Sequence, residues 1–85
     1  MIKGKVLLQE TIAAGLIKIL TSSGVKDIWV SDHPGSLSPK QPGTVKVEFL
    51  SENPIIAKLM KAIVAGANAG VFGHHTLYLA PFQTV

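Results

Sequence analysis

Eighty-five residues make one domain, 1–85, near the small end of what folds around one core, and a hydrophobic fraction of 47% implies that a partner covers part of its apolar surface. The absence of cysteine excludes disulfides and thiol or Cys-zinc chemistry. The net charge of +3 comes from eight scattered lysines with no arginine, a pattern that argues against a dedicated nucleic-acid reader.

Ile2–Leu8 reads as a strand, with Gly4, Val6 and Leu8 on one face and Lys3, Lys5 and Leu7 on the other. A helix is predicted from Thr11 to Ser23, with Ile12, Leu16, Ile19 and Leu20 on its apolar side and Lys18 outside; Gly24 ends it. Lys26-Asp27 turns the chain into a short second strand, Ile28–Ser31. The segment 32–43 is a loop, because Pro34, Pro39 and Pro42 remove ladder donors. In the strand Thr44–Leu50, Val45, Val47 and Phe49 alternate with Lys46 and Glu48. Asn53-Pro54 marks the second helix, with Asn as the expected cap, and Ile56, Leu59, Met60, Ile63 and Val64 form its apolar stripe. Gly66 or Gly70 ends that helix, a turn containing Gly73 follows, and a last strand around Leu77–Leu79 is closed by Pro81.

The order β-α-β-β-α-β predicts an α+β, ferredoxin-like fold: an antiparallel four-stranded sheet with two helices on one face. Alternation places Val6, Leu8, Ile28, Val30, Val45, Val47, Phe49, Leu77 and Leu79 under the helices. It places Leu7, Trp29, Tyr78, Lys46 and Glu48 on the helix-free face. Two large aromatics on an open face point to a subunit interface, within which Lys46 and Glu48 need pairing. No leader or membrane span is legible, so a soluble cytoplasmic protein is expected.

KVEF, the helix ending AIVAGANAG, the turn VFGHH and the strand LYLAP resemble the second half of the nitrogen-regulatory PII family. Ser23-Gly24-Val25 before strand two and Thr44–Phe49 extend the resemblance over nearly the whole chain. It implies a homotrimer whose sheets pack through their helix-free faces. Small molecules, among them adenine nucleotides, bicarbonate or cyclic nucleotides, are then bound in clefts between subunits. The loop between strands two and three, here a shortened 32–43, contacts a target protein such as a transporter or enzyme. Carried over position by position, the resemblance assigns Gly35, Gly70, Gly73, His74 and Thr76 to the cleft. Thr44 and Thr76 stand where other members have phosphate-reaching lysines, His74 stands where they have Asp, and their C-terminal arginines have no counterpart. Such a cleft has little charge to offset a triphosphate.

Other chemistry is thinner. His33 and His74, with Asp32 as a third ligand, form an alternative metal site; His74 and His75, adjacent on a strand, point to opposite faces. No nucleophile has a base at usable spacing, and the carboxylates form no convergent pair, so the chain does not read as an enzyme. The same element order also serves metal-binding proteins of the CutA kind, amino-acid-sensing modules and ligand-free trimeric scaffolds.

Overall fold

The computed structural model describes residues 1–32, 43–73 and 77–85. In chain order the elements are β1 (Ile2–Gln9), α1 (Glu10–Ser22), β2 (Asp27–Asp32), β3 (Thr44–Ser51), α2 (Asn53–Asn68), β4 (Tyr78–Leu79) and β5 (Gln83–Thr84). The strands form one antiparallel sheet in the order β2-β3-β1-β4, and β5 also pairs with β1. β1 runs against β3 over its whole length, from Ile2 opposite Ser51 to Gln9 opposite Thr44. Because β3 also runs against β2, β1 and β2 are parallel and separated by one strand, the split βαβ arrangement expected.

The core forms where the apolar strand face meets both helices: Val6, Leu8, Val45, Val47 and Phe49 against Ile12, Leu16, Leu20, Leu59 and Ile63. Gly4 pairs with Phe49, and a Cβ at Gly4 would run into the Phe49 ring, so the glycine makes room for the largest core side chain. Both helices end alike. The Val25 N–H donates to the Leu20 carbonyl (3.0 Å) and the Gly24 N–H to Thr21 (3.1 Å), with Gly24 at φ +100°. At α2 the Val71 N–H donates to Gly66 (2.9 Å) and the Gly70 N–H to Ala67 (3.1 Å), with Gly70 at φ +81°. These are two Schellman caps.

Four local expectations are corrected. α2 begins one residue early, with Glu52 at the cap position and no side-chain cap bond, so Asn53 does not cap it; Pro54 keeps its place in the first turn. The buried stripe of α2 is Leu59, Ile63 and Gly66 with Ile55 alongside, while Val64 is 55% exposed and Ile56 and Met60 are only half-buried. The helix turns this way because Gly66 lies inside it: a Cβ there would be 2.7 Å from Ile19 Cδ1, so the absent side chain lets α1 approach. Gly66 therefore packs, and Gly70 terminates. Val30 is 51% exposed on the helix side, because β2 is an edge strand and α1 packs over β1 and β3.

Finally, Pro81 does not end the sheet. The Ala80 N–H donates to the Lys5 carbonyl (3.0 Å), and Phe82 sets its ring edge-on to Phe49 at 6.4 Å. Pairing then resumes as β5, with Ile2 opposite Thr84, so the sheet has five strands rather than four. No helix among the described residues is long and apolar enough to cross a membrane.

Candidate functional site

The sheet register gathers the relevant chain segments at one end. Gln9 at the end of β1 pairs with Thr44 at the start of β3, and Asp32 at the end of β2 pairs with Val45. Tyr78, at the start of β4, pairs with Leu7. The points where segment 33–42 leaves and rejoins the fold, and where 74–76 rejoins it, therefore all lie at this end. The start of α1 is tied to the same place, since the Glu10 N–H donates to the Gly43 carbonyl at 2.7 Å.

Of the residues assigned to a ligand cleft, Gly70 and Gly73 are described. Gly35, His74 and Thr76, and His33 of the metal reading, lie outside the described residues. Gly70 and Gly73 both have positive φ, +81° and +59°, a conformation that L side chains rarely adopt. Their N–H groups are already used: Gly70 donates to Ala67, and Gly73 to Gly70 at 3.0 Å. What the two glycines offer is shape. Among the described residues nothing lies within 4 Å of a Cβ at either position, so the backbone there is open to close approach.

Sequence reasoning missed what holds this turn. Phe72, between the two glycines, is buried in the core, and the Val71 side chain lies against the bare surface of Gly15, where a Cβ would be 2.9 Å away. Thus the turn is pinned by one aromatic and one aliphatic anchor while both glycines face outward. The available signal was the VF pair itself: two apolar residues enclosed by glycines, in a turn too short to be a strand.

The helix-free face is the second feature. Trp29 is 50% exposed and Tyr78 54% exposed, as alternation predicts. Between them Glu48 receives Lys3 at 3.1 Å and Lys46 at 3.3 Å, while Lys5, opposite Glu48 in the register, and Asp27 at the β2 edge of the same face are exposed and form no ion pair among the described residues. The hydrogen bond from Lys3 lowers the Glu48 carboxyl from its ordinary pKa; partial burial opposes this, and Lys46 reinforces it. Trp29, Lys3, Glu48, Leu50 and Val85 line a depression of about 420 Å³ on this face. Among the described residues, no three His, Asp or Glu side chains converge as a metal site would require.

No family model matches the sequence, and no curated protein matches it. Solved structures do. A candidate PII-like signalling protein from Thermus thermophilus superposes with a TM-score of 0.71 at 11% identity, over 99% of this chain and 85% of that one. CPII, a nitrogen regulatory PII-like protein from Thiomonas intermedia, was solved bound to ADP, AMP and bicarbonate. It matches with a TM-score of 0.68 at 12% identity, over 99% of this chain and 92% of that one. Its apo form matches with a TM-score of 0.66 at 12% identity, over 99% and 89%. At these identities the likeness is one of fold, and it spans essentially the whole chain. The chain thus has the fold of the PII-like nitrogen-regulatory proteins.

Proposed function

We propose that the protein is a PII-like regulator, working in the cytoplasm as a homotrimer joined through the helix-free sheet face. It binds a small molecule in the clefts between subunits and passes the bound state to a target protein through segment 32–43. The observation that carries this reading is the exposure of Trp29 and Tyr78 on a sheet face where Lys3 and Lys46 are both paired to Glu48. Burying two aromatics there yields about 25 cal/mol per Å², and Lys5 on the same face then needs a carboxylate of the neighbouring subunit or a place at the rim. Support for the ligand comes from the shared fold with CPII, which was solved with ADP, AMP and bicarbonate.

The cleft in this reading is Gly35, Gly70, Gly73, His74 and Thr76, with His33 beside it. The open backbone at Gly70 and Gly73 admits a ligand in close contact. With no arginine in the chain and threonines at positions 44 and 76, a weakly charged ligand such as AMP or bicarbonate fits better than ATP.

Calorimetry tests this with AMP, ADP, ATP, bicarbonate and zinc as separate titrants. One AMP or bicarbonate per chain is expected, with ATP weaker. Gly73→Val, at φ +59° with no described residue within 4 Å of the new Cβ, should lose at least tenfold in affinity without changing the assembled mass. No heat from any nucleotide or from bicarbonate, or an undiminished response in Gly73→Val, contradicts the cleft. A response to zinc alone moves the site to His33 and His74.

A further inference from the structure

The outer surface of the helical layer carries one sign of charge. Between Thr11 and Lys26, and between Asn53 and Gly73, the sequence has four lysines and no carboxylate. The five acidic residues are Glu10 and Glu52 at the helix starts and Asp27, Asp32 and Glu48 in strands. Among the described residues, which include all five, the ion pairs are those of Glu48 with Lys3 and Lys46. Lys18, Lys58 and Lys61 thus meet no carboxylate.

The same surface is grooved and apolar. A depression of about 520 Å³ runs between α1 and α2 over Gly15, Ile19, Ala62 and Val71, flanked by Lys18 and Lys58. A second, of about 390 Å³, lies on the far side of α2 along Met60, Val64 and Ala65, beside Lys61. Lys61 follows Lys58 by three residues and Ala65 follows Lys61 by four, so on the helix surface these residues join the two depressions. Val64 and Val71 are about half exposed here. Sixteen residues of α2 give this surface a length of about 24 Å.

We propose that this face docks an acidic amphipathic helix of a partner protein. Its apolar residues would fill the two grooves and its carboxylates would meet Lys18, Lys58 and Lys61. None of the chain's aromatics projects from the helices. Trp29 and Tyr78 lie on the opposite face, while Phe49, Phe72 and Phe82 belong to the core or pack on it. A membrane-seated helix instead presents aromatic or leucine wedges with a dense basic rim. The inference does not rest on the trimer or on its ligand, since the helical face and the Trp29 face lie on opposite sides of the sheet.

The probe is a fluorescent 18-residue helical peptide with leucine at the a and d positions and glutamate elsewhere, read by anisotropy. Its charge-reversed lysine twin and phosphatidylserine vesicles serve as comparisons. The acidic peptide should bind saturably, one per chain, and the lysine twin should not bind. The triple variant Lys18→Ala, Lys58→Ala, Lys61→Ala should lose at least tenfold in affinity, and so should Val64→Asp. All four positions are exposed, so both variants keep the core. Absence of saturable binding, equal affinity in the triple variant, or binding to vesicles but not to the peptide overturns the proposal.

Discussion

Glu48 is the residue whose environment departs most clearly from that of a solvated side chain. Lys3 and Lys46 both donate to it, and its carboxyl is held below the ordinary pKa. A folded pKa below the unfolded one contributes stability above the unfolded carboxylate pKa of about 4.3, and that stability is lost as pH falls through the folded value. Lys3 remains 40% exposed, so the contribution in the isolated chain is within about 1 kcal/mol. Thermal melts of the wild type and Glu48→Gln at pH 7 should differ by a few degrees, in favour of the wild type. The difference should shrink steadily below pH 4; a constant difference down to pH 2 would contradict the assignment. Legibility at this scale was uneven. Alternation alone put Glu48 beside Lys46, but Lys3 entered only through the strand register, which the sequence does not spell out.

The elements show why some boundaries were readable and others were not. β1 and β3 are central strands with one face covered, so buried and less buried side chains alternate along them and their faces are legible, even though Leu7 and Leu50 put apolar residues on the open face. β2 is an edge strand, so Val30 could be apolar without being covered. β5 spans two residues after a proline, too short for periodicity to register. In α2 the expected stripe holds at Leu59 and Ile63 but is too wide, because Ile56, Met60 and Val64 carry as strong an apolar signal as Ile55, which the pattern leaves out. Gly66 against Ile19, with Leu59 and Ile63 buried on the same side, sets the rotation.

The start of α2 gives a prediction at this scale. Glu52 has the extended backbone of a cap position, φ −69° and ψ 146°, without a side-chain cap bond. Glu52→Ser should therefore stabilise the protein by about 0.5–1 kcal/mol. Asn53→Ala, at a position that makes no cap bond, should be close to neutral. Denaturant midpoints decide it: a loss of about 1 kcal/mol in Asn53→Ala, the usual size for a removed cap, would restore the sequence reading of Asn53 as the cap.

At the scale of the whole molecule, a small domain with 47% hydrophobic residues buries its core on one side of the sheet and leaves apolar surface on both outer faces. The split βαβ order was legible because two helices and their flanking strands each carried a period of their own. The candidate site was legible only in part. Positive-φ glycines announce themselves, whereas Phe72 as the anchor of their turn depends on where the two helices meet. The proposed cleft exists only where subunits join, so the assembly through Trp29 and Tyr78 is the claim on which the functional reading stands. Light scattering on the purified chain measures it directly. The wild type should have three times the 9.0 kDa chain mass, and Trp29→Lys, which places a cation on that face without touching the core, should fall to the mass of a single chain. A monomeric wild type, or a Trp29→Lys protein that remains a trimer, would contradict the account.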